Sequence, residues 1–214
     1  MNKNYGAIIF DLDGTLINSV PYHLNSFKQV LAKLGVNVDY NFLEDISGLT
    51  STGMFKELKK KYKFKEDIKK LKIERRKYYF KSVGKKNILF PGVKTTIKKL
   101  KKNHKLAIAT SSSNESLKNS LSKDLFNLFD VHITADDVKK GKPAPNQINL
   151  AIKKLKSKKE ETILVGDTIY DAMAAKRAKI DFIGIKTGNH TKKSLKEKGA
   201  LKVIDKISEL NEIL

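Results

Sequence analysis

Tyr5-Gly6-Ala7-Ile8-Ile9-Phe10-Asp11-Leu12-Asp13-Gly14-Thr15-Leu16 is an apolar run that breaks on two carboxylates. Short continuous apolar runs of this kind read as strands buried on both faces. Downstream the same signal recurs near 105–110, 131–134, 162–166 and 181–185. Helical patterns separate these runs at about 93–102, from Ser112 onward, at 145–155 and at 169–178, with Ser112 and Glu115 spaced as a capping box. Strands alternating with helices predict an α/β fold, a parallel sheet covered on both faces in three layers. Residues 20 to about 84 show helical periodicity without a convincing strand; Pro21 suits a first turn and Gly35 a helix end. The expected organisation is a core of residues 1–18 and 85–214 with an α-helical domain, 19–84, inserted after the first strand.

In such sheets ligands sit just beyond the carboxyl ends of the strands. The polar residues directly after each expected strand are Asp11 and Asp13, then Thr110, Ser111 and Ser112, then Gly166, Asp167 and Asp171, with Lys142 in the loop beyond the third strand. Carboxylates, hydroxyls and one ammonium therefore converge on one edge. Carboxylates crowded together repel unless a cation neutralises them, and hard oxygen donors suit Mg²⁺. The expected Mg²⁺ set is Asp11 and Asp167, with the main-chain carbonyl of Asp13, and Asp171 as a further ligand or an anchor for metal-bound water. Thr110, the amide of Ser111 and the Lys142 ammonium are the expected phosphate contacts. Asp11, at a rigid strand end, is placed to attack phosphorus, and Asp13 to serve the leaving oxygen as acid and then water as base.

The chain has 214 residues, no cysteine, and 44 basic residues against 23 acidic, all but Arg75, Arg76 and Arg177 of the basic ones being lysine. Absent cysteines exclude disulfides and thiolate zinc sites. No segment approaches the roughly 20 apolar residues of a membrane span, and the first strand is too short for a signal-peptide core. A cytoplasmic monomer without membrane association is the expectation. Residues 54–105 hold 21 basic residues and only 4 acidic. This excess admits a basic nucleic-acid or anionic-partner binding protein with a vestigial site. It equally admits a lysine coat on solvated helix faces. Nucleic-acid readers recruit arginine for bidentate contacts, so the scarcity of arginine favours the coat.

Four motifs stand in order: Phe10-Asp11-Leu12-Asp13-Gly14-Thr15-Leu16, Ala109-Thr110-Ser111-Ser112, Gly141-Lys142-Pro143-Ala144-Pro145 and Val165-Gly166-Asp167-Thr168-Ile169-Tyr170-Asp171. On these the chain resembles the haloacid dehalogenase superfamily over nearly its whole length. The resemblance implies a Rossmann-like core, an aspartyl-phosphate at Asp11, acid–base work by Asp13, phosphate contacts from Thr110 and Lys142, and Mg²⁺ at Asp11, Asp13 and Asp167. Asp13 argues for phosphoryl chemistry, because the true dehalogenases lack that second acid. The helical insert is similar to the cap of the subfamily that contains phosphoglycolate phosphatases, sugar phosphatases and β-phosphoglucomutase. It implies substrate contacts at His23 and Asn114; the insert residues expected to face the site are His23, Ser51 and Thr52, with Arg75 or Lys72, and Ser51 is a further expected substrate contact. The expected substrate is a small phosphorylated metabolite, a sugar phosphate or phosphoglycolate, cleaved by a phosphatase. A phosphosugar mutase is the alternative, weakened by Ser51 standing where the mutase has a substrate-binding arginine.

Overall fold

The computed structural model describes residues 3–84 and 86–214. Its six strands among those residues, β1 (Ala7–Phe10), β2 (Lys105–Ala109), β3 (Val131–Ile133), β4 (Thr162–Gly166), β5 (Asp181–Ile185) and β6 (Lys202–Ile204), form one parallel sheet in the order β3-β2-β1-β4-β5-β6. All four residues of β1 are buried. Ile8 and Phe10 join the apolar cluster on one face, with Leu106, Ile108, Ile163 and Val165; Ala7 and Ile9 join the other, with Ala107, Ala109 and Leu164. This two-sided burial is why the strands read as unbroken apolar runs.

Between β1 and β2 lie α1 (Val20–Ala32), α2 (Tyr40–Asp45), α3 (Ser51–Tyr62), α4 (Ile68–Val83) and then α5 (Val93–Leu100). The first four build a core of their own from residues such as Leu24, Phe27, Leu31, Leu43, Phe55 and Leu58. The stretch is not helical throughout, because side-chain caps interrupt it. Asp39 accepts the Asn41 N–H, Thr50 that of Gly53, and Asp67 those of Lys69 and Lys70. The chain leaves and re-enters the core side by side: Phe90 N–H donates to the Leu16 carbonyl and Asn18 N–H to that of Ile88. Lys85, at the expected second boundary, and Met1 and Asn2, in the expected core, lie outside the described residues.

The remaining helices are α6 (Asn114–Ser120), α7 (Lys123–Phe126), α8 (Asn146–Leu155), α9 (Ile169–Ala178), α10 (Lys192–Glu197) and α11 (Leu210–Ile213). One expected cap is corrected. Ser113, not Ser112, caps α6 by accepting the Ser116 N–H, and Glu115 pairs with Arg76 instead of closing a box. The apolar pattern also misses β6, a three-residue edge strand with two buried side chains, because so short a run carries too little periodicity to stand out. Among the described residues no helix is long and apolar enough to cross a membrane.

Candidate active site

With β1 central and its neighbours β2 and β4 on opposite sides, the strand order reverses at β1, where the carboxyl ends leave a crevice. Asp11 continues β1 by one rung, its N–H donating to the Val165 carbonyl at 2.9 Å. Asp167 comes directly after β4, and Asp171 lies one turn into α9. The tight turn between Leu12 and Leu16 brings Gly14 against Asp167; Gly14 has φ +82°, and a Cβ there would run into the carboxylate. Thr15 Oγ1 donates to Asp167 Oδ1 at 2.7 Å.

Asp11, Asp167 and Asp171 are all buried, each with a carboxylate oxygen within 4.8 Å of the others. Lys142, 3% exposed, reaches Asp11 Oδ1 and Asp171 Oδ1 at 2.6 Å each. Burial pushes the Asp11 carboxyl up; Lys142 opposes this, Asp171 and Asp13 add to it, and the balance stands at about 7. Burial, then Asp11 and Asp171, drive Asp167 well above its ordinary value. For Lys142, burial pulls down, but Asp11 and Asp171 outweigh it and hold the ammonium charged. One ammonium among three buried carboxylates leaves negative charge uncompensated, and three hard oxygen donors fit a small divalent cation.

The Asp13 side chain is not in that cluster. Its Oδ1 accepts from Ser19 at 2.6 Å and from His23 Nε2 at 3.0 Å; its Oδ2 accepts from Ser112 at 2.7 Å and Thr110 at 3.3 Å. Burial alone would raise its pKa, but His23 and these hydroxyls outweigh burial and hold the carboxyl below its ordinary range. On its other side His23 Nδ1 meets Arg75 Nη1 at 3.0 Å. Arginine is always a donor, so Nδ1 is the acceptor and the proton sits on Nε2, facing Asp13. The imidazole stacks on Tyr79, ring centroids 4.0 Å apart.

Thr110 is fully buried at the end of β2. The buried Gln147 amide donates to the Thr110 carbonyl. Because the peptide is trans, the Ser111 N–H on the same unit points the opposite way, and Ser111 lines the cavity. Among the described residues that N–H donates to no protein acceptor. The Ser111 hydroxyl donates to the Gly48 carbonyl of the helical insert at 2.8 Å.

Asp11, Asp13, Asp167 and Ser111 thus border one cavity of about 60 Å³, and the insert supplies its opposite wall. Of the expected insert residues, His23, Ser51 and Arg75 line it. Asn114 does not: it is exposed at the start of α6, its N–H bound to Asp136 at 2.9 Å, because Ser113 turns the chain into the helix there. Thr52 and Lys72 border adjoining clefts instead. Sequence reasoning missed Ser19 and the Asp13 role of Ser112, since the order Ser111-Ser112-Ser113 does not say which hydroxyl caps and which turns inward. It also missed Thr15, Gln147 and the apolar wall of Leu24, Phe27 and Met54. Oxygen-rich and cationic groups gathered in this way can hold a phosphoryl group in line with the Asp11 carboxylate.

Three comparisons bear on this geometry. A family described as haloacid dehalogenase-like hydrolase matches residues 8–185. A phosphorylated carbohydrates phosphatase of Thermotoga maritima is 31% identical over 96% of each chain. Pyrophosphatase PpaX of Halalkalibacterium halodurans is 34% identical over 85% of this chain and 81% of its own. Among solved structures, a hydrolase from Pseudomonas syringae superposes over 97% of each chain with a TM-score of 0.88 at 29% identity.

Proposed function

Because this chain belongs to the haloacid dehalogenase-like hydrolases, we propose that it is a Mg²⁺-dependent phosphatase of small phosphorylated metabolites, with Asp11 as nucleophile. The observation that carries this is Asp11 itself: buried at a strand end, tied to Lys142 at 2.6 Å and open to a cavity whose floor holds Asp167. Asp11 and Asp167, with Asp171 behind them, would hold the cation, which supplies charge neutralisation for the transferring phosphoryl group. The names carried by the Thermotoga and Halalkalibacterium relatives support phosphate-ester or phosphoanhydride cleavage.

The reaction runs in two displacements. An Asp11 carboxylate oxygen attacks phosphorus as the ester P–O bond breaks, and Asp13 gives the departing oxygen its proton. Water then attacks the aspartyl-phosphate and gives its proton to Asp13, releasing inorganic phosphate and free Asp11. Asp13 is held ionised in the resting arrangement, which suits the second half. The dianionic phosphoryl group entering beside it raises its proton affinity for the first. Thr110, the Ser111 N–H and Lys142 hold the phosphoryl oxygens. The helices of 19–84 act as a cap that excludes water when closed.

A phosphate-release screen over sugar phosphates, phosphoglycolate, nucleotides and pyrophosphate tests the reading. Release is expected with Mg²⁺, without formation of an isomer, and is expected to vanish with EDTA and to fall at least about 10⁴-fold in Asp11→Asn. Anionic-partner binding that falls steeply with salt but survives Asp11→Asn, with no hydrolysis of any compound, would contradict it.

A further inference from the structure

The catalytic cavity is small. At about 60 Å³, with each water-sized group needing about 10–15 Å³, it takes a phosphoryl group and its bridging oxygen and little else. The rest of a substrate must lie outside it. Two clefts adjoin it. One, of about 300 Å³, shares Ser51, Arg75 and Ser112 with the cavity; the other, of about 400 Å³, shares Ser51 and Ser111. The clefts also share Lys72, Ser113 and Asp136 with one another, so they form one trench between α3 and α4 on the cap side and the loops after β2 and β3 on the core side.

The charge of this trench is one-sided. Lys69, Lys72 and Arg76 line the first cleft, and Lys56, Lys72 and Lys139 the second. The carboxylate facing both is Asp136, already accepting the Asn114 N–H, while Arg76 is tied to Glu115 at 2.6 Å. Among the described residues the ammonium groups of Lys56, Lys69, Lys72 and Lys139 make no ion pair or hydrogen bond. A lysine coat would explain cations on convex helix faces, but these line a concavity walled by a second element. Arg75 is the independent sign. It is 6% exposed, borders both the cavity and the trench, has no carboxylate within ion-pair distance among the described residues, and leaves its Nε without a partner. Buried cations are ordinarily paired. Lysine and arginine donate without accepting, so these cations add to the hydroxyls of the trench a set of charged donors that an anionic group answers and a neutral one does not.

We propose, resting on the phosphatase reading above, that the substrate's leaving group carries its own negative charge, a carboxylate or a second phosphate, and that Lys72 at the junction of the trench selects it together with Arg75. Lys72 is then a specificity-determining residue. Selection lies in the charge of the leaving group rather than in recognition of a sugar ring.

The test is Mg²⁺-supported phosphate release from 2-phosphoglycolate, pyrophosphate and glucose 6-phosphate by the full chain, by Lys72→Glu and by Lys153→Glu, an exposed α8 lysine away from the trench. The wild type is expected to favour at least one acid-tailed compound over glucose 6-phosphate by about tenfold or more in kcat/KM, and Lys72→Glu to erase that preference mainly through KM. Lys153→Glu is expected to keep it. The better of the two acid-tailed compounds tells carboxylate from phosphate. A preference for glucose 6-phosphate, an equal loss on all three compounds in Lys72→Glu, or an equal effect of Lys153→Glu would overturn the inference. Absence of any turnover would overturn the phosphatase reading instead. Equilibrium binding of the same compounds to wild type and Lys72→Glu would then decide the inference, and binding without an acid-tail preference would overturn it.

Discussion

The two walls of the catalytic cavity obey opposite rules. The core wall presents the buried Asp11 and Asp167 at strand ends, with the buried Lys142 paired to Asp11 and Asp171 behind them. The insert's wall is largely apolar, with Leu24, Phe27 and Met54, and its one buried cation, Arg75, meets an imidazole and a hydroxyl but no acid. A wall with more carboxylates than its one ammonium can neutralise is built to be completed by a cation. A wall that leaves a cation uncompensated is built to be completed by its ligand.

Substitutions at the two cations sharpen that contrast most. Lys142→Met strands Asp11 and Asp171 in the interior, and is expected to cost about 3–5 kcal/mol in denaturant unfolding along with all turnover. Arg75→Met removes a cation that has no buried anion to strand. It is expected to cost no more than about 1 kcal/mol, from the unpaired His23 Nδ1, while KM rises. Equal destabilisation by the two would break the comparison.

The meeting of the walls is the next point of attack. Gly48 has φ +96°, and a Cβ there would come within 2.8 Å of Thr168 Cγ2 in the core. Gly48→Ala is expected to hold the insert away from the strand ends and lower kcat/KM by roughly 10–100-fold, with a smaller change in unfolding midpoint. Within the core wall, Gln147→Met keeps volume but frees the Thr110 carbonyl. Vanadate, a phosphoryl mimic, is expected to bind several-fold more weakly as the Ser111 N–H loses its fixed direction.

Legibility in the sequence divides along the same line between the walls. That Asp11, Thr110 and Asp167 stand at one edge was legible because chain order alone fixes which residues come directly after a strand, and a parallel sheet sends all those ends to one edge; Lys142 was legible only as part of the loop beyond β3. The alternation that makes Ile8 and Phe10 face one layer and Ala7 and Ile9 the other was implicit in the same runs. Helix contents were legible as helix, and His23, Ser51 and Arg75 were among the insert residues expected to face the cavity that they line, but the burial of Arg75 was not legible. Arg75 lies in the buried stripe with Leu71 and Tyr79, and in sequence it differs from Arg76 by nothing. Asn114 lies outside the cavity lining for a local reason, because Ser113 rather than Ser112 caps α6 and the next residue is carried outward.

The smallest expected effect concerns the scaffold under the core wall. Asp130 accepts from Lys101 and from the Leu106 N–H at 2.9 Å. Burial pushes its pKa up, but these bonds outweigh it and hold the carboxyl below 3.8. A folded value below the unfolded one adds stability that is complete above about pH 4 and disappears as pH falls through the folded value. Asp130→Asn is therefore expected to lower the melting temperature slightly at pH 7, with the gap to wild type closing in acid. A gap that stays constant with pH would remove the carboxylate from the explanation.

The claim on which the rest stands is that phosphorus passes through Asp11. Rapid acid quench during turnover, borohydride reduction and peptide mass spectrometry would read it directly, since reduction converts an aspartyl-phosphate to homoserine. Homoserine is expected at position 11 and is expected to be absent without substrate. Sustained phosphate release with an unreduced aspartate at position 11 would contradict the account.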